Sequence, residues 1–427
     1  MTSPPQTPWQ PYGWPAPAPA APPPGARPPR AGLRAAIAVG VTLALVAAAG
    51  AGLALGRSLG PASTTSGATT AGTLDTELPR LIAFVEDARG LEFRTVPAVQ
   101  VLDDAEYEAL LAEPGGGEAP AATADAEAPH DYALTYEALR LTDSAEDFTA
   151  AEEWGWTGGS LGFYDPATDD LVVRGTAWTH EAELTVVHEL THALQDQHFD
   201  LGALDQAVGP TDDDAWLALS GLVEGDAVRI EGAYVEAQNQ RWYDEWLAED
   251  SPGYGSDAPY DPLADAFGSL PYDVGYDSVS ALYDEGGNSA VDEAFASPPT
   301  TTEQLYDLVG WLGGDADLGP AEAAPAPAAG SDALVDQAAL GVAGLGMLAS
   351  VDRDFAGAPV LDGWRGDTYV TWVEDSGRAC TRVTVVFDGA ADAKRAGQAL
   401  EAWVDLPQTE AEQSGATLLL ASCGDPG

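Results

Sequence analysis

A chain of 427 residues is longer than one small domain needs and suits one large domain or two ordinary ones. Apolar residues at 45% allow a sizeable core, while 47 Gly and 32 Pro leave room for stretches that need not fold. With 69 acidic against 17 basic residues the formal net charge is -52, which serves solubility and argues against a nucleic-acid partner, because phosphate binding needs clustered Lys and Arg.

Residues 1–34 are rich in Pro-Pro and Pro-Ala repeats and are predicted to be a disordered tail with polyproline character. Residues 35–57 follow, in which Ala35 to Gly56 carries no charge and is long enough to cross a hydrocarbon core as a helix. Arg27, Arg30 and Arg34 precede this run and Arg57 alone follows it, so the positive-inside rule keeps the N-terminus cytoplasmic and sends the rest of the chain outward. A cleaved signal peptide would start nearer the N-terminus; cleavage after Ala-Gly-Ala is the alternative. Residues 58–77, rich in Ser, Thr, Gly and Ala, are predicted to be a flexible stalk.

Folding is expected to start near Leu78, with Leu78, Leu81, Ile82 and Val85 on one helical face and Gly90 as C-terminal cap. Val96 to Leu102 reads as a strand, and Glu113 to Ala128 as a surface insertion. Leu161 to Val173 reads as two short strands around a Pro-containing turn.

The chemistry-bearing segment follows. In Thr185 to Phe199, His188 and His192 are four positions apart and share one helix face, so two imidazoles can reach one metal ion. Glu189 is turned aside from the metal and towards a water in an open coordination position, as a general base. With five histidines in the chain, chance placement yields His-Glu-x-x-His on the order of once in 250 such sequences, which sets the metal site above two buried structural histidines.

A tetrahedral zinc site needs a third protein ligand. His198 has metzincin-like spacing, but Gln195 stands where that family has Gly, and on a continuous helix His198 points about 120° from His192 and about 9 Å further along the axis. Glu224 is the better candidate: Leu217, Ser220, Gly221, Glu224 and Val228 share a face, and a carboxylate within that apolar stripe is costly without a partner. Asp226 is either a residue that orients a ligand histidine or a solvated acid.

Residues 313–333 read as a linker, and residues 334–427 as a small α+β subdomain. In it Tyr369 to Val373, Cys380 to Phe387 and Ala416 to Ala421 are predicted strands, and Ala390 to Val404 a helix. Cys380 and Cys423 lie on the predicted outer side, where adjacent strands could join them in a disulfide; two buried thiols are the alternative.

His-Glu-Leu-Thr-His together with the downstream Leu-Val-Glu-Gly-Asp-Ala resembles the gluzincin zinc metallopeptidases. From about Leu78 to Leu305 the chain also resembles an uncharacterised bacterial membrane-anchored family, through Gly-Phe-Tyr-Asp-Pro, the extended His-Glu-Leu-Thr-His-Ala-Leu-Gln-Asp-Gln-His-Phe-Asp, and Pro-Pro-Thr-Thr-Thr-Glu-Gln. The resemblance implies an α+β zincin-like peptidase domain over residues 78–312 with an active-site helix and, at Leu171 to Arg174, an edge strand for an extended peptide, Zn2+ on His188, His192 and Glu224, and peptide hydrolysis with Glu189 as base; for the Tyr or His that donates to the oxyanion in gluzincins, Tyr272, Tyr276 and His180 stay open. A catalytically degenerate zincin acting as a cell-envelope binding module, or an acidic spacer with core histidines, are the competing expectations.

Overall fold

Leu81 and Val85 are fully buried and mark the inner face of α1 (Ala68–Arg89), the first element of the computed structural model. The structure describes residues 68–424 apart from 112–130, 158–159, 209–212, 250–257, 351–361 and short stretches between 316 and 333. The predicted tail, membrane span and acidic insertion lie outside these residues. No helix among the described residues is long and apolar enough to cross a membrane. The helix expected from Leu78 begins earlier, at Ala68, inside the stretch read as stalk, and Leu74 already packs into the core.

β1 (Ala98–Leu102) is followed by α2 (Asp104–Leu111), α3 (Asp131–Ala138), α4 (Ala145–Thr157), β2 (Gly162–Asp165) and β3 (Asp170–Arg174). The β2–β3 turn is held by Asp165, whose carboxylate accepts from the Ala167 amide and the Thr168 hydroxyl. The small sheet has the order β1-β3-β2, with β1 parallel and β2 antiparallel to β3. The expectation that Leu171 to Arg174 forms an edge is therefore corrected: β3 is the central strand, and β1 and β2 are the edges. The near-continuous burial of Leu171, Val172 and Val173 is the signature of that central place.

α5 (His180–Phe199) starts at Thr179, whose hydroxyl accepts from the Ala182 amide, and ends at Asp200 in the left-handed conformation. α6 (Leu201–Val208), α7 (Asp213–Glu236), α8 (Gln240–Trp246) and the long α9 (Pro262–Gly286) come next. α7 and α9 cross in backbone contact: a Cβ on Gly225 would lie 2.2 Å from the carbonyl carbon of Gly275, and one on Gly275 the same distance from the Gly221 oxygen. Only glycine permits that approach.

α10 (Asn288–Ala296), α11 (Thr302–Tyr306) and α12 (Leu308–Leu312) pack against this pair. Then come β4 (Leu334–Asp336), α13 (Gly341–Leu348), β5 (Trp364–Val373), β6 (Ala379–Phe387), α14 (Ala390–Ala399), α15 (Glu401–Val404), β7 (Thr409–Ser414) and β8 (Thr417–Cys423). The second sheet is antiparallel, in the order β4-β5-β6-β8-β7. The helix expected over Ala390 to Val404 is divided at Leu400, which turns inward and is fully buried. Cys380 and Cys423 face each other across β6 and β8 and form a disulfide.

The chain is thus a mixed α+β fold with helices and two sheets. One core gathers α1, the first sheet, α5, α8 and the C-terminal half of α7. The other gathers the N-terminal half of α7, α9 to α13 and the five-stranded sheet. α7 threads both, with Leu222 and Val223 in one core and Ile230 and Tyr234 in the other, and Glu224 to Asp226 fall at the junction.

Candidate metal centre

α5 presents His188, Glu189 and His192 one turn apart, and α7 brings Glu224 against them. The four residues are 2% exposed or less, so the site is enclosed. His188 Nε2 lies 3.1 Å and His192 Nε2 lies 3.4 Å from Glu224 Oε2, and the two imidazole centroids are 4.7 Å apart at nearly perpendicular planes. Ligand atoms at about 2.05 Å on a tetrahedral zinc stand about 3.3 Å apart, so these two separations match two edges of such a polyhedron, and the ligand atoms of all three residues lie within 4.8 Å of one another. His192 Nε2 has no hydrogen-bond partner among the described residues, an orphaned buried acceptor that a cation would satisfy. The donor set, two imidazoles and a carboxylate, fits a zinc-like divalent ion and leaves one position open.

Electrostatics supports cation binding at this spot. Burial works against the charged form of Glu224, but His192 and His188 outweigh it and hold the carboxyl below its usual range. Burial alone would lower His188, yet the bonds to Glu224 and Glu231 raise it well above the ordinary imidazole value. Burial raises Glu189, and the neighbouring histidines offset only part of this. Neither Glu189 oxygen makes a well-formed hydrogen bond among the described residues. That is costly for a carboxylate with only a structural role.

The ring nitrogens facing away from the centre are also engaged. His188 Nδ1 lies 3.3 Å from Glu231 Oε2, two helical turns beyond Glu224 on α7. His192 Nδ1 lies 3.0 Å from Gln195 Oε1. Sequence reasoning missed Glu231 and Gln195 in this role. The signal for Glu231 was available, because its seven-residue spacing from Glu224 keeps it on the same helix face.

The other candidates separate cleanly. His198 stays out of the centre and bonds the Glu92 carbonyl at 2.9 Å. His180, at the start of α5, pairs with Glu249 and packs edge-on against Trp242. Of the two tyrosines, Tyr272 stacks on His188 with centroids 6.2 Å apart, whereas Tyr276 lies one turn further along α9. Asp226 is fully buried and bonded to Gln195 and two arginines, which removes the reading of a solvated acid. A small cavity bounded by Leu201, Trp216, Leu219 and Val223 adjoins Glu224.

β2 runs beside α5, close enough that a Cβ on Gly162 would meet Thr185 Cγ2 at 2.7 Å. The strand edge nearest the centre is therefore β2, not β3. No family model matches the chain, and no curated protein or solved structure is significantly similar to it.

Proposed function

We propose that the chain is a zinc-dependent peptidase of the gluzincin type, held at the membrane by a helix over residues 35–57 with its catalytic domain extracytoplasmic. The observation that carries this reading is the convergence of His188, His192 and Glu224, whose ligand atoms lie within 4.8 Å of one another, with the buried carboxylate of Glu189 beside them. Three protein donors leave a fourth position, the pattern of a catalytic rather than a purely structural zinc. When bound, the ion supplies a Lewis acid and lowers the pKa of a water molecule. Glu189 then accepts the proton of the attacking water and delivers it to the leaving amine. β2 is an outer strand of the first sheet, the kind of element along which an extended peptide is bound, and Tyr272 stands over His188, within the same enclosure.

The test is Glu189→Gln in the full chain. Zinc binding should persist while cleavage of a peptide library falls by about a hundred- to ten-thousandfold, the share of the rate that a general base supplies. Retained cleavage would remove Glu189 from its role. The enclosure of the site favours one competing reading, a zinc-bearing binding module without turnover. A wild-type chain that holds stoichiometric zinc and cleaves no peptide would favour that module.

A further inference from the structure

Gln195 lies one turn after His192 on α5 and is fully buried. Its Oε1 faces His192 Nδ1 at 3.0 Å, while its Nε2 donates to the Val223 carbonyl at 3.0 Å and to Asp226 Oδ2 at 3.1 Å. The amide can take only this orientation. Flipped, its oxygen would face a carbonyl and a carboxylate, two repulsive contacts in a buried place. With Oε1 fixed towards the imidazole, Nδ1 must carry the proton, and Nε2 keeps its lone pair for the side on which Glu224 lies.

What fixes the amide is a charge cluster, buried at Asp226, Arg89 and Arg229 and open to solvent at Asp292. Asp226 Oδ2 accepts from Arg89 Nε at 2.7 Å, and its Oδ1 from Arg229 Nη2 at 2.7 Å. Arg89 Nη1 also pairs with Asp292 at 2.7 Å, so two cations and two carboxylates balance. The guanidinium of Arg89 lies 5.8 Å from the ring centroids of both Phe199 and Phe295, which are themselves stacked. Arg89 ends α1 and thereby ties that helix to the centre.

We propose that Gln195 is the positioning residue for His192, and that Asp226, clamped by Arg89 and Arg229, acts on the metal centre through Gln195 alone. The inference rests on the reading of His188, His192 and Glu224 as metal ligands. A residue of this kind tunes affinity for the ion, typically by 10- to 100-fold.

The experiment is zinc affinity of the full chain by chelator competition, with long-range proton–nitrogen NMR of the histidine rings in the zinc-loaded wild type. Gln195→Leu should weaken zinc binding by about 10- to 100-fold with an unchanged far-ultraviolet spectrum. Asp226→Asn should weaken it in the wild-type background and add nothing in the Gln195→Leu background. The NMR, which needs no variant, should show His192 protonated at Nδ1. A Gln195→Leu affinity within twofold of wild type, or His192 protonated at Nε2, overturns the role of Gln195. Additive effects overturn the link through Asp226. A wild type that binds no zinc instead refutes the metal reading itself, and so the two failures are told apart.

Discussion

The crossing of α7 and α9 offers a sharp test, because Gly225 directly follows the candidate ligand Glu224 and Gly275 lies three residues after Tyr272. In Gly225→Ala the new methyl would sit 2.2 Å from the Gly275 carbonyl carbon and 2.3 Å from its oxygen, both backbone atoms that no rotamer change can move. Ordinary contact needs about 3.5 Å, so the helices must part by about 1.3 Å at this point. Overpacking of this kind costs roughly 3 kcal/mol, the upper part of the usual range, because two rigid helices must separate. For a fold of this size that corresponds to a fall in melting temperature of roughly 4–5 °C. Tyr272 would also lift away from His188, whose ring it now stacks at 6.2 Å. Thermal unfolding by circular dichroism, with zinc affinity measured beside it, checks both effects. A melting temperature within about 2 °C of wild type would refute the backbone-contact argument.

Two further outcomes follow from named contacts. Burial pushes the Glu152 carboxyl up to about 7, a rise that the hydroxyl of Tyr132 moderates and Asp213 reinforces. A raised folded value means that the favourable contribution is complete below the unfolded carboxyl range and is lost as pH climbs through about 7. Glu152→Gln should therefore be close to neutral for stability at pH 4.5 and stabilising at pH 8, by at most about 3 kcal/mol, as denaturant melts at the two pH values would show. A variant equally stable relative to wild type at both pH values would contradict this. The disulfide joining Cys380 and Cys423 spans 43 positions, so replacing both with Ser should cost about 4 kcal/mol on the chain-entropy account. The loss should appear first as hydrogen exchange in β6 and β8, and unchanged exchange there would speak against it.

Much of the site was legible because its geometry is local. Four-residue spacing places His188 and His192 together on any helix, and the apolar stripe around Glu224 on α7 marked a carboxylate in need of a partner. The turn chemistry of Asp165 to Asp169 likewise announced β2 and β3. What sequence reading missed depends on partners distant in the chain. The edge expected at β3 came from the resemblance, and nothing in its own residues corrects it, because its parallel neighbour β1 lies about 70 residues upstream. α9 was hidden by Pro271 and Gly275, which locally signal a break but here sit inside a helix held by α7. β7, with Glu410, Glu412 and Gln413 on an outer edge, lacks the apolar alternation that identifies a strand. Gln195 was noted only for what it is not, a glycine. Its hydrogen bonds to His192 and Asp226 emerge only once α5 and α7 are packed together.

The central claim is that His188, His192 and Glu224 hold a zinc ion. Metal analysis of the full chain purified without added metal, beside Glu224→Ala, tests it most directly. The account predicts about one zinc per chain in the wild type and its loss from the variant, since three protein ligands are the minimum for such a site. A wild type without stoichiometric zinc, or a variant that keeps it, would contradict the account.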